Sequence, residues 1–374
     1  MDNLTHSLVG LAAAKAGLER RGPYATVVCV AAANLPDIDV VALAGGPAFY
    51  LQHHRGITHS VVGTLALALA LPLLLCAGER LRARRRGGAG RASLKGLLLC
   101  SLLLSASHPL LDWTNSYGVR PLLPWDGRWF YGDLLFIVDP WVWLLLGGAC
   151  SLLAMARWRK AAWGLLALAV TLLFFRVSSR PDSGVPVGAL VLWVVGLAAL
   201  FVLHLKRAGA RFGWRAPAVA LALVVVYCGA LAVVQARARA KAESFAGALA
   251  FPDDERVLKV AATPVLADPF TWRCLAESDR STFRFGMRLD APAIDEVGDV
   301  VRYAKPAGEE AEVVRRASET EAARVLLDFA RFPAARVRGD GAGGRIVQFA
   351  DLRFTEPGAR ARVGGFALDV PVER

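Results

Sequence analysis

The chain has 374 residues, of which 55% are hydrophobic, and it carries a formal net charge of +12. Its mean hydropathy of +0.42 excludes an ordinary soluble protein. Because the apolar residues concentrate before about residue 236, we predict two parts. A transmembrane helical bundle covers residues 1–236, and an extracytoplasmic soluble α+β domain covers residues 237–374. No C-x-x-C pair occurs, so the cysteines predict no disulfide framework.

About eight helices are predicted, which makes the first part an all-α polytopic membrane bundle. Crossing a bilayer takes roughly 20 apolar residues. Two short segments come first in the chain, Leu4–Leu18 and Tyr24–Leu35. Six longer segments follow them: Ile57–Ala77, Leu94–Leu111, Val138–Ala156, Ala161–Val177, Val185–Leu205 and Ala216–Gln235.

The basic residues predict how the bundle is oriented in the cytoplasmic (inner) membrane. The loop over residues 79–95 is rich in arginine and should stay in the cytoplasm. If the helices alternate, the basic loops at 20–21, 157–160 and 206–215 lie on that side too. The same alternation puts the C-terminal domain outside the cytoplasm. The positive charge therefore indicates topology and anionic lipid, and we expect no nucleic-acid partner.

Polar residues suited to metal binding gather in the first third of the chain, at the ends of its apolar segments. Histidine and carboxylate side chains together are typical of metal sites. With alternating helices, all of them reach the extracytoplasmic side, where polar groups at membrane depth are costly unless they are paired or bound to metal. The set comprises His6, Asp37, Asp39, His53, His54, His59, His108 and Asp112.

Two short segments of the chain resemble each other. Residues 4–10 read L-T-H-S-L-V-G, and residues 57–63 read I-T-H-S-V-V-G. In both, we predict that the threonine caps a helix and that the histidine lies in its first turn. The glycine one turn later permits a close approach of helices.

Each of these motifs also has a simpler structural explanation. His108 and Asp112 are four residues apart and would share a helix face, yet a surface or capped pair is an equal alternative. The P-D-I-D segment could be a polar turn that ends a helix. His53 suits an interfacial loop, whereas Gly56 would let the chain turn so that neighbouring rings converge.

Three further residues complete the predicted site. Asp139 directly precedes Pro140, so it is either the N-cap of the next helix or a late metal ligand. Arg55 is the best nearby cation for binding a phosphate or carboxylate. Asn115 follows the H-P-L-L-D-W-T motif and could form part of the wall of the site.

The motifs T-H-S, N-L-P-D-I-D, H-H-R-G-I-T-H-S and H-P-L-L-D-W-T-N together resemble the YdjM-like family, which is described as membrane-bound, metal-dependent hydrolases. The resemblance covers the first 140 residues best. That family is in turn distantly similar to zinc-dependent phospholipase C and related nucleases. The resemblance implies supporting or substrate-binding roles for Asp39 and Asn115. The metal ligands that it implies are His6, Asp37, His54, His59, His108 and Asp112.

These observations predict a membrane-embedded hydrolase acting on a phosphoester or lipid-linked substrate at the outer leaflet. Zinc is the favoured metal because the ligand set is rich in histidine, with manganese or magnesium as alternatives. A zinc-dependent lipid amidase is a second hypothesis. A metal- or proton-handling transporter is a third, although the later helices carry few polar residues at their centres.

In the C-terminal domain, alternation of apolar residues predicts four strands, and a 3.6-residue period predicts one amphipathic helix at Glu309–Arg331. The predicted strands are Glu255–Ala261, Ser281–Leu289, Ile346–Phe354 and Gly365–Val370. No nucleophile motif or glycine-rich phosphate loop occurs there. We expect a docking, lid, substrate-presenting or structural role.

Overall fold

The computed structural model describes residues 1–88, 90–180, 184–250, 254–290, 300–339, 344–359 and 365–372. Twelve α-helices and seven strands lie in these ranges. The helices are α1 Asn3–Lys15, α2 Ala25–Asn34, α3 Pro47–His53, α4 Val61–Arg85, α5 Leu94–Trp113, α6 Pro140–Leu152, α7 Arg157–Ser178, α8 Val187–Leu205, α9 Ala208–Phe212, α10 Arg215–Ala250, α11 Gly308–Ser318 and α12 Glu321–Phe329. Short 3₁₀ helices occupy Leu18–Arg21, Leu35–Gly45 and Ile57–His59.

The strands form two sheets, each of which follows chain order. The first contains β1 Val257–Val265, β2 Asp268–Ser278, β3 Ser281–Arg288 and β4 Val301–Ala304. The second contains β5 Pro333–Gly339, β6 Arg345–Asp351 and β7 Ala367–Val372. Strands β2 to β4 pair antiparallel, as do β5 to β7. These features confirm the predicted fold class, a helical membrane bundle with a C-terminal α+β region.

Six helical segments among the described residues are long and apolar enough to cross a membrane: Ala25–Gly45, Val61–Arg85, Leu94–Trp113, Arg157–Ser178, Val187–Leu205 and Arg215–Leu249. All eight predicted helices are present as α1, α2, α4 to α8 and α10. Helix α6 is shorter than the predicted segment Val138–Ala156, because it has only 13 residues.

By its contacts, the chain divides into two units. Unit 1 comprises residues 1–38, 57–232 and 265–269, and unit 2 comprises residues 39–56, 233–264 and 270–374. The predicted domains, 1–236 and 237–374, did not anticipate that the short connection over 39–56 would group with later residues.

The main apolar core of unit 1 receives buried side chains from α1, α2, α5 and α6. Glycines let the helices approach closely there. A Cβ atom added to Gly10 of α1 would lie 2.7 Å from the carbonyl oxygen of Cys29 in α2. One added to Gly63 of α4 would overlap the carbonyl oxygen of Ile57, so only glycine permits the tight turn that precedes this helix. His6 lies on α1 near Gly10, and His59 lies in the turn before α4. Both close approaches therefore help to position histidines of the candidate site.

In unit 2, the first sheet packs on the C-terminal part of α10, where Ala238 and Ala242 meet Trp272 and Phe285. A smaller cluster links Leu275 to Phe332 and Leu352. Helix α3 packs against α12. The connection between α2 and α4 is therefore held by the same unit as the C-terminal sheets.

Candidate metal centre

Four predicted ligands converge in unit 1. The ligand atoms of Asp37, His59, His108 and Asp112 all lie within 4.8 Å of one another, close enough to hold one metal ion. They come from three parts of the fold: the 3₁₀ segment after α2, the 3₁₀ turn before α4, and the last two turns of α5. Residues 71 positions apart in the chain therefore share one point because the helix ends meet there.

The separations within this group are short and similar. The Nε2 atoms of His59 and His108 are 3.1 Å apart. His59 Nε2 lies 3.4 Å from Asp37 Oδ1 and 3.2 Å from Asp112 Oδ2. His108 Nε2 lies 3.4 and 3.5 Å from the same two oxygens. Both imidazoles and Asp112 are buried, whereas Asp37 is partly exposed.

Backbone geometry fixes the tautomer of His108. Its Nδ1 lies 2.6 Å from the carbonyl oxygen of Ala33, which can only accept a hydrogen bond. Nδ1 must therefore carry the hydrogen, and in the neutral ring Nε2 presents a lone pair to the group. That lone pair can accept from His59 Nε2, which is 3.1 Å away, or it can bind a cation. The two carboxylates favour a divalent cation, because buried like charges are costly without compensation.

Other side chains hold the cluster in place. Asn3 Nδ2 donates to Asp37 Oδ2 at 3.0 Å. His59 Nδ1 and Thr58 Oγ1 are 3.0 Å apart, which orients the ring of His59. The amino group of Met1 contacts Asp112. The sequence predicted none of these supporting contacts, nor the contact of His108 with Ala33. The Ala33 contact is made by a backbone carbonyl, which every residue has, so the sequence does not reveal it.

His6 lies beside the group of four. Its ring stacks on that of His108 with centroids 3.7 Å apart, and its Nε2 is 3.4 Å from Asp112 Oδ1. The helix that carries it begins differently from the prediction. Asp2 caps α1 and accepts from the backbone N–H of Thr5, so Thr5 lies inside the helix.

The prediction for the second T-H-S segment was also wrong in detail. Ser60 caps α4 through a bond from the N–H of Gly63, so Thr58 and His59 precede this helix in a 3₁₀ turn. The physical reason is the same in both segments. A polar side chain nearby in the sequence, Asp2 or Ser60, takes the capping position, and the threonine is left to contact other side chains.

A second set of predicted residues pairs within unit 2. Asp39 Oδ1 lies 3.0 Å from His54 Nδ1, and Asp39 Oδ2 accepts from the backbone N–H of Arg55 at 2.9 Å. Arg55 is buried and has a left-handed backbone with φ of 51°. A non-glycine residue in that region is strained by about 1 kcal/mol or more. Asp39 therefore holds an unfavourable turn in place.

The remaining predicted residues have other contacts. Asp139 caps α6, and its Oδ1 accepts from the N–H groups of Trp141 and Val142. Its Oδ2 accepts from the hydroxyl of Tyr227 at 3.2 Å. Asp139 is thus absent from the clustered ligand groups of the described chain. Asn115 is buried and accepts from the N–H of Tyr117. His53 is exposed and donates to the carbonyl of Phe49.

The four candidate ligands lie within the part of the chain that has known relatives. Residues 1–183 match the model of the YdjM inner membrane protein family. The predicted resemblance is confirmed over these residues, and with the apolar helices it makes the chain a multi-pass membrane protein. The YdjM match includes all the predicted site residues.

A curated relative gives no activity to compare. The uncharacterized protein YfhP of Bacillus subtilis (strain 168) is 26% identical over 166 residues, which are 42% of this chain and 46% of YfhP. The chain thus spans less than half the length of that relative. No solved structure matches the chain.

Proposed function

We propose that this protein is a membrane-embedded, metal-dependent hydrolase that acts on a phosphoester or lipid-linked substrate at the outer leaflet. The observation that carries the proposal is the convergence of two buried imidazole nitrogens and two carboxylate oxygens in a multi-pass membrane protein. Such groups are costly at membrane depth, and metal binding is the simplest compensation for them.

The ligand spacing favours zinc. Zinc takes nitrogen and oxygen ligands at roughly 2.0–2.1 Å in a tetrahedron, which places neighbouring ligand atoms about 3.3–3.4 Å apart. Five of the six separations among the four ligand atoms lie between 3.1 and 3.5 Å. An octahedral magnesium site would bring neighbouring oxygens to about 3.0 Å and would favour an all-oxygen set. Two histidines therefore support zinc over magnesium.

Asp37 is the ligand at which reactants would enter. It is the partly exposed member of the four, and Asn3 orients its second oxygen. A bound zinc ion would supply Lewis-acid activation of water at neutral pH. Asp37 would accept a proton from the attacking water, the ester P–O bond would break, and the leaving oxygen would take up a proton. We further propose that Arg55 binds the anionic group of the substrate.

Purified protein should lose hydrolysis of a phosphoester lipid on chelation and regain it with zinc. Asp37→Asn keeps the shape of the side chain but removes the charge of a proposed ligand and proton acceptor, so it should weaken metal binding and lower turnover about 10²–10³-fold. His53→Ala, a histidine outside the cluster, is the matched control and should keep both properties. Activity that resists chelation would contradict the proposal.

Turnover of a neutral amide lipid, with none on phosphoesters, would establish the amidase alternative instead.

A further inference from the structure

Unit 1 contains an apolar groove that is separate from the metal cluster. It lies between α1, α6, α7 and α8 and has a volume of about 360 Å³, within the range of small-molecule sites. Trp143, Trp163 and Trp193 line it together with leucines. It extends along α8 from Trp193 to His204, which is roughly 16 Å at 1.5 Å per residue.

The groove does not lead to the predicted catalytic site. It meets α1 at Leu4 and Leu8, which lie on one face of that helix because they are four residues apart. His6 is two residues from each and therefore lies on the opposite face. A chain in the groove would be separated from the metal cluster by α1, so substrate delivery does not account for the groove.

The far end of the groove is basic. Lys160 and His204 line both the groove and a second cavity of about 310 Å³, which Arg207 also lines. Within the described part of the chain, no carboxylate forms an ion pair with Lys160 or Arg207. An apolar channel that ends at uncompensated cations is complementary to an amphiphile with an anionic head.

Close packing fixes the shape of this basic end. Gly209 of α9 lies against the carbonyl of Leu152 at the end of α6, where a Cβ atom would overlap the backbone. Arg207, directly before α9, lines the second cavity together with Lys160. The backbone that carries Arg207 does not depend on a ligand for its position, which lowers the entropic cost of binding.

From these contacts we infer that the protein has a structural or regulatory binding site for one anionic phospholipid. Its acyl chain fills the groove between α6, α7 and α8, and its phosphate contacts Lys160, His204 and Arg207. The site lies at the end of the bundle that carries the basic loops, and it is independent of the proposed hydrolase activity.

The headgroup half of the site can be tested with charge-matched variants. Protein extracted from vesicles containing equal parts phosphatidylglycerol and phosphatidylcholine should retain the anionic lipid preferentially in native mass spectrometry. The double variant Lys160→Gln/Arg207→Gln should lower this preference about tenfold. Arg159→Gln/Lys206→Gln removes the same charge from exposed neighbours that line neither cavity, and it should leave the preference intact.

The apolar half can be blocked without a clash. Gly164 lines the groove, yet a Cβ atom there would meet no atom within 4 Å, so Gly164→Leu should fold and occupy the channel. Gly229→Leu, at an equally open glycine outside the groove, is its control. Retention of both lipids should fall only in Gly164→Leu. Equal retention of the two lipids by the wild-type protein, or equal loss in both charge pairs, would overturn the inference.

Discussion

Asp37, His59, His108 and Asp112 show which part of a metal centre a single sequence can predict. Their residue types, their places at the ends of apolar segments and the resemblance to the YdjM-like family pointed to all four, and also to His6, His54 and Asp139, which lie outside this group of four. Their mutual distances required the fold, because they depend on close approaches such as that of Gly10 to α2. The tautomer of His108 required it too, since the carbonyl of Ala33 sets it. The pattern of side chains in a sequence does not show which backbone carbonyl will accept a hydrogen bond from a histidine.

Arg55 is the residue whose predicted role is easiest to isolate. Arg55→Ala should impair turnover about 10²–10³-fold while metal stays bound, because a guanidinium binds anions and not cations. Arg55→Lys should recover only part of the rate, since an ammonium lacks the two-pronged contact. Steady-state kinetics and metal content measured on the same samples check both statements.

The left-handed backbone at Arg55 supplies the control. Arg55→Gly removes the guanidinium and also relieves the strain at φ of 51°. If the side chain binds substrate, the glycine and alanine variants should be equally slow. Normal turnover in Arg55→Gly would instead mean that the alanine variant fails through its backbone.

At the scale of elements, apolar periodicity predicted the helices well and their ends less well. Asp139 and Pro140 fix the start of α6 as expected, but the helix stops at Leu152, where Gly209 packs on its last carbonyl. The predicted helix at Glu309–Arg331 is two helices, α11 and α12. Thr320 Oγ1 donates to the carbonyl of Ala317 between them, and such local bonds compete with helix continuation.

The strands show the same limit. Four predicted strands correspond to β1, β3, β6 and β7, whereas β2, β4 and β5 were missed. Strand β2 carries charged residues at Arg273 and Glu277 among buried ones, and β5 contains Arg336 and Arg338. In the described sheets, strand β2 has a partner strand on each side, and β5 has one partner. Because this pairing joins residues that are not neighbours in the chain, such strands leave a weak local pattern in the sequence.

Asp139 allows the capping role to be separated from the ligand role. Asp139→Ala should destabilise the protein by about 1 kcal/mol, because the N–H groups of Trp141 and Val142 lose their acceptor. Asp139→Asn can still cap and should recover most of that stability. Thermal unfolding in detergent measures the loss. Metal content should stay at the wild-type level in both variants, and its loss would make Asp139 a ligand.

For the whole molecule, alternation of the helices from the basic 79–95 loop predicts that the C-terminal region lies outside the cytoplasm. The packing of α3 on α12 puts the connection between α2 and α4 on that same side. A cysteine in place of the exposed Arg324 should react with an impermeant thiol reagent in intact cells.

A cysteine at position 84 should give the opposite result in the same experiment. Arg84 is exposed at the basic end of α4, so Arg84→Cys should react only after lysis. If Arg84→Cys is labelled in intact cells and Arg324→Cys is not, the orientation is reversed and the metal cluster faces the cytoplasm.

The central claim is that the cluster binds a metal ion, and metal analysis of purified protein tests it most directly. Wild-type protein should contain about one zinc ion per chain, or more if His6 takes part in a second site. His59→Ala and Asp112→Ala should each lose most of it, because an incomplete ligand shell binds weakly. His53→Ala should keep it. Full metal retention in both cluster variants, with correctly folded protein, would contradict the metal centre described here.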